Sequence, residues 1–235
     1  RALLADPRVT AIGLHIEGFS DLRAWEALAQ KAYSKGIPLV ALKVGKSLQA
    51  QQATISHTAS LAGGDAGAQA LLARLGIARV NDLPTFLETL KLLHMTGRLA
   101  QNTLASISCS GGEASLAADT AHGRRLQFPT LNETQKQSLK RALGPMVALA
   151  NPLDYNTYIW RDAAAMTAAW SAMDDPSIAL LLLIVDYPHT DATDWECATQ
   201  AALNTRAATG ANVAVVATLP ELMPDDVAAR LMAGG

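Results

Sequence analysis

Short apolar runs alternate with longer amphipathic stretches along this 235-residue chain, and that alternation limits the possible folds more than any other feature. A parallel strand covered on both faces reads as a continuous apolar run, and two parallel strands need a crossover that is usually a helix. The pattern therefore predicts an α/β chain, a parallel sheet with helices on both faces. Residues 9–16 and 38–44 read as strands, with a helix over 21–34 between them and Gly36 as its stop signal. A loop rich in glycine and serine covers 45–64. Asp65 can then cap a helix running to 75, followed by a strand over 77–80 and a helix over 83–95. Beyond a linker near 96–102, a strand over 103–109 turns at Ser110-Gly111-Gly112 into a helix that reaches about residue 122.

The two halves repeat one another. Asp6-Pro7-Arg8-Val9 with a strand ending at Glu17 matches Asp175-Pro176-Ser177-Ile178 with a strand ending at Asp186, and in both copies a helix, a glycine (Gly36, Gly210) and a second apolar strand follow. The copies are cut at different points. The second has a strand and glycine-turn helix ahead of its Asp-Pro that the first lacks, and the first has a loop, strand and helix after Lys43 for which the second has no room. The expectation is an internal fragment with two domains, 1–99 and 100–235, the first lacking its opening strand and helix and the second its end.

Composition narrows the partners. Half the residues are apolar, enough for one large core or two modest ones. With 19 basic against 21 acidic residues and no basic patch, nucleic acid is not an expected partner. The longest apolar run, 178–185, is too short to span a bilayer, and no signal pattern opens the chain, so no membrane partner and a cytoplasmic location are expected. Cys109 and Cys197 lack ligand spacing, which predicts two buried thiols rather than a disulfide or a metal site.

Chemistry is most plausible at His57, in the small-residue loop. A neutral imidazole is a nucleophile near pH 7 without an activating base, and attack on a phosphoryl group gives phosphohistidine. Glu17 falls at the carboxyl end of a strand, where open parallel sheets place ligand sites, and its carboxylate can accept a ring N–H and leave the other nitrogen free. At the Ser110-Gly111-Gly112 turn, glycine lets backbone N–H groups of a helix N-terminus face an anion. Each has a bland alternative: a solvated histidine, an exposed strand-end carboxylate, a tight turn without ligand. Asn151 to Tyr155 reads as a polar turn, the four tryptophans as packing residues at helical positions, His15, His94, His122 and His189 as structural, and Asn132 as a helix cap.

Four segments in this order, Glu17-Gly18, Lys43-Val44-Gly45-Lys46-Ser47, Ser56-His57-Thr58-Ala59-Ser60-Leu61-Ala62-Gly63-Gly64-Asp65 and Ser110-Gly111-Gly112-Glu113, resemble the ligase domains of NDP-forming acyl-CoA synthetases, relatives of succinyl-CoA synthetase and ATP-citrate lyase. The resemblance covers nearly the whole chain. It implies two flavodoxin-like doubly wound domains, His57 as the phosphorylated histidine on loop 45–64, Glu17 as the carboxylate holding its ring, and Ser110, Gly111 and Gly112 as half of a phosphate cradle. It further implies that acyl-CoA, ADP and phosphate interconvert with a carboxylic acid, CoA and ATP. CoA, ATP or ADP and magnesium would be substrates and ion of the full enzyme, with no cofactor bound by this segment alone. CoA-binding and ATP-grasp domains, in cis or in another subunit, and an oligomer are the implied partners. Lys43 and Lys46 could meet a phosphate or CoA, or stay solvated. Two other readings stay open: a non-catalytic, regulatory module of a protein acetyltransferase, and a plain flavodoxin-like interaction module.

Overall fold

The computed structural model describes residues 2–52 and 64–235. They form two compact units, Arg1–Arg98 and Leu99–Gly235. Both are layers of helix on a parallel sheet.

In the first unit β1 (Ile12–Ile16), β2 (Leu39–Lys43) and β3 (Ala78–Val80) lie in the order β1-β2-β3, all parallel. The central strand β2 is buried along its whole length, as a continuous apolar run between two helical layers requires. Helices α1 (Leu22–Ser34) and α2 (Asp65–Arg74) lie in the crossovers, and α3 (Leu83–Thr96) follows the last strand. Asp21 caps α1 by accepting the amides of Arg23 and Ala24, and Asp82 caps α3 by accepting that of Thr85. Gly36, at φ +68°, turns the chain after α1 in a conformation that a side chain would strain. Ile12, Ile16, Ala32, Ile37, Leu39, Ala41 and Leu72 form the core.

In the second unit the order is β5-β4-β6-β7, again parallel, with β4 (Leu104–Ser108), β5 (Leu153–Asp154), β6 (Leu180–Ile184) and β7 (Val213–Val216). Helices α4 (Gly111–Ala121), α5 (Glu133–Leu143), α6 (Ala163–Ser171), α7 (Glu196–Thr209) and α8 (Asp225–Ala233) complete it. Its core holds Trp170, Tyr155, Met166, Met173, Leu181 and Leu183, with the Tyr155 and Trp170 rings 6.1 Å apart. Chain order and sheet order reverse at β4: the connection from β4 runs outward to β5 and that from β6 to β7. Crevices outside the carboxyl ends of such a strand pair are where open α/β sheets bind ligands.

The repeat seen in the sequence has a structural counterpart. Asp6 Oδ1 accepts the amide of Arg8 at 3.0 Å and Asp175 Oδ1 that of Ser177 at 2.9 Å. The backbone carbonyls of the same two aspartates accept from Val9 and Ile178. Each Asp-Pro is thus an aspartate-stabilised turn that feeds the next strand.

Several expectations need correction. Strands are shorter than their apolar runs, because the ladder needs a neighbour and ends before apolarity does; β1 begins at Ile12 rather than residue 9. Asp65 is the first residue of α2, with Gly64 in the cap position, because its carboxylate turns to Arg79. Trp160 lies in a turn, where it meets Trp195 edge to face at 5.4 Å. The two thiols are half-buried rather than interior. Asn132 does cap α5, in a reciprocal box with Gln135. No helix among the described residues is long and apolar enough to cross a membrane.

Candidate functional site

Two strand ends carry the expected residues, one in each unit. In the first, Glu17 directly follows β1, half-buried, and its carboxylate accepts no hydrogen bond from the described residues. The side chain that organises its surroundings is one that composition does not reveal. Lys43, which could equally have been a solvated lysine, closes β2 and is only 3% exposed. Its Nζ donates to the backbone carbonyl of Glu17 at 2.9 Å and to that of Val44. No carboxylate lies within ion-pair distance of it among the described residues.

Burial pushes the Lys43 ammonium down, Arg79 adds to this, and Asp65 and Glu17 oppose it. Desolvating an ammonium costs about several kcal/mol. Two charge-assisted bonds return roughly 1.5–3 kcal/mol each, so the carbonyls offset the burial without a paired anion. An ammonium has three N–H donors, and the third has no partner among the described residues.

Other cations fasten the same edge. Lys46 Nζ donates to Asn81 Oδ1 at 2.6 Å, just beyond β3. Arg79, whose side chain is 6% exposed, pairs with the Asp65 carboxylate at the start of α2 and donates to Gln69 Oε1 at 3.2 Å. The Arg79 guanidinium holds the Asp65 carboxyl below its ordinary range. Residues on both sides of the histidine segment are therefore tied to β3. His57 itself lies outside the described residues.

In the second unit β4 ends at Ser108, whose hydroxyl donates to the Ser110 carbonyl at 3.0 Å. Ser110 is the N-cap of α4 without a side-chain cap bond, and Gly111 and Gly112, both exposed, are its first helical residues. The amides of the first turn therefore have no intrahelical acceptor and stand open at the carboxyl end of β4. The space for glycine is set from outside the turn: a Cβ on Gly111 would lie 3.2 Å from Asp154 Oδ2. Asp154 is the last residue of β5 and is held by the Asn156 amide on its other oxygen at 2.8 Å.

Asn151 explains why β5 arrives there. Its side-chain amide accepts from Ser106 N at 3.1 Å and donates to the carbonyls of Leu104 and Pro129, continuing the β4 ladder where no strand residue does. The supposed polar turn is thus an anchor for Asp154. Glu113, in the first turn of α4, has one carboxylate oxygen buried with no partner among the described residues. Burial pushes its carboxyl up, with Asp186 and Asp154 adding to the shift. Asp186, the repeat counterpart of Glu17, is occupied: its oxygens accept the Thr218 amide at 2.6 Å and hydroxyl at 2.5 Å.

The structure thus puts Ser110, Gly111 and Gly112 together at one open helix end and Glu17 at the end of β1. Sequence reasoning named Lys43 only as a possible phosphate or CoA contact or a solvated lysine, and assigned no role to Arg79, Asp154 or Glu113. The signals for them were a lysine and an arginine inside strand patterns and a carboxylate at the end of an apolar pair. No grouping of three or more His, Cys, Asp or Glu side chains able to hold a metal occurs among the described residues.

Comparison with known proteins decides the lineage. Residues 1–93 match the family of succinyl-CoA ligase like flavodoxin domains. The chain is 32% identical over 179 residues to the alpha subunit of acetate–CoA ligase [ADP-forming] II of Pyrococcus furiosus. Its first 93 residues belong to the succinyl-CoA ligase like flavodoxin family.

The match to the Pyrococcus subunit covers 76% of this chain and 38% of that one. An acetate–CoA ligase [ADP-forming] of Methanocaldococcus jannaschii is 30% identical over 151 residues, which is 64% of this chain and 21% of that protein. The chain therefore spans well under half the length of these curated relatives. Its fold is similar to that of a dinucleotide forming acetyl-coenzyme A synthetase 1 from Ca. Korarchaeum cryptofilum, solved with phosphate and ADP, at a TM-score of 0.77. That likeness covers 98% of this chain and 53% of the other at 20% identity. Both units are flavodoxin-like α/β folds.

Proposed function

We propose that this chain supplies the phosphoryl-carrying ligase domains, 1–99 and 100–235, of an ADP-forming acyl-CoA synthetase. The full enzyme converts acyl-CoA, ADP and phosphate reversibly to a carboxylic acid, CoA and ATP. Phosphate displaces CoA at the thioester carbonyl to give an acyl phosphate. His57 then attacks its phosphorus, and the carboxylate leaves. ADP takes the phosphoryl group from phosphohistidine and becomes ATP. Glu17 accepts the N–H of the distal ring nitrogen and steadies the positive charge that develops on the imidazole. The amides of Ser110, Gly111 and Gly112 hold phosphoryl oxygens. CoA, nucleotide and magnesium are bound by CoA-binding and ATP-grasp domains in the same or another subunit, the acid is a small molecule, and the assembly is cytoplasmic.

The observation that carries this reading is the uncapped, solvent-open N-terminus of α4 at the strand reversal of the second unit. A helix end of this kind favours an anion by about 0.3–1 kcal/mol when exposed and up to about 2 when partly buried, which suits transient phosphoryl binding. The test uses the full-length protein with magnesium and labelled ATP. Acid-labile, base-stable label is expected on the wild type and none on His57→Asn; equal labelling of both refutes the assignment.

A further inference from the structure

Lys43 sits where a solvated lysine was an open possibility, and among the described residues its bonds go to backbone only. Parallel ladder pairing aligns Ile16 with Lys43, and Val44 N donates to the Ile16 carbonyl at 3.0 Å. That bond fixes the peptide plane before Glu17. The plane after Glu17 is held by Lys43 Nζ on the Glu17 carbonyl at 2.9 Å. With peptide planes rigid, fixing both sets φ and ψ of Glu17 and hence the direction of its Cα–Cβ bond. The same ammonium binds the carbonyl of Val44, the residue that leads out of β2. A 3%-exposed side chain cannot leave this position for solvent without opening the strand ends.

We infer that Lys43 is the positioning residue for Glu17: its ammonium clasps the two carbonyls beyond the last ladder bond and so fixes the backbone from which the Glu17 side chain is directed. The inference rests on the phosphohistidine reading only for its consequence, that phosphorylation slows when the clasp is lost. A cation serves better than a neutral amide here, because one Nζ reaches two carbonyls that diverge from the strand ends, with charge-assisted bonds to both.

The experiment measures single-turnover phosphorylation of the full-length protein over a range of labelled ATP concentrations up to saturation, for wild type, Lys43→Met, Glu17→Gln and the double variant. Lys43→Met is expected to slow phosphorylation roughly tenfold with the ATP concentration dependence unchanged, and the double variant to be no slower than Glu17→Gln, because the two residues act as one unit. Lys43→Arg, which keeps a charged donor, should recover part of the rate and guards against a folding defect in the methionine variant. Wild-type speed in Lys43→Met, or losses that simply add in the double variant, overturns the inference. A wild type that takes no label refutes the phosphohistidine reading instead. The clasp is then judged by the Glu17 carboxylate carbon resonance, expected as a single sharp line in the wild type and broadened in Lys43→Met; identical lines overturn it.

Discussion

At the scale of single residues, the positions of Glu17 at a strand end and of Gly111 and Gly112 at a helix start were readable, because each residue type has a conformation or chemistry of its own. Glu113 was not, since its character comes from neighbours that arrive from β5 and β6. Its carboxyl is raised by burial first and by Asp186 and Asp154 next. A folded-state value above the unfolded one, about 4.3, means that the folded form binds the proton more tightly. Stability is therefore lost as pH rises from the unfolded value through the raised folded value, and stays lower above it. Glu113→Gln, which keeps the shape without the charge, should stabilise the chain at pH 7 by roughly 0.5 kcal/mol, discounted for partial exposure, and by nothing near pH 4. Urea unfolding at the two pH values checks this, and an equal gain at both would count against it.

Among elements, helices were more legible than strands. The cap at Asn132 was legible within four residues, because a side-chain oxygen bonds an amide three positions on. Asp21 and Asp82 follow the same rule, although beside Asn132 the sequence pattern pointed only to Asp65, which is the first helical residue. Strand ends depend on a partner from elsewhere in the chain, which is why β1 starts three residues later than its apolar run and why β5 is only Leu153–Asp154. What makes so short a strand possible is Asn151, whose amide bonds three backbone groups of neighbouring segments. Asn151→Ala removes all three bonds and leaves Ser106 N without its acceptor. A loss of about 2–3 kcal/mol is expected, read as a lower urea midpoint, with Asp154 displaced from Gly111. A change below about 0.5 kcal/mol, within the range of ordinary surface substitutions, would show that β5 is held without it. Lys43 illustrates the same limit on the site: nothing in Lys43-Val44-Gly45 tells a solvated ammonium from one that closes two strand ends.

On the scale of the whole molecule, each unit has its own sheet and core. The second, with Trp170, Tyr155 and Leu181 at its centre, should therefore fold when residues 99–235 are produced alone. Circular dichroism with a cooperative urea transition is the expected result; a fragment that melts without cooperativity would mean that its core is insufficient by itself. Parallel order was legible from the alternation of apolar runs with helices, whereas the reversal at β4 was not, since strand order depends on contacts between segments far apart. The repeat was legible in both sequence and geometry, and its most faithful mark is the Asp-Pro turn at Asp6 and Asp175. Those turns close on their own backbone within four residues. A descendant of a duplicated gene can thus exchange core, loop and active residues around such a turn without disturbing it. This makes the turn a natural seam for recombination and the place where a chimera joining one copy to the other should be cut.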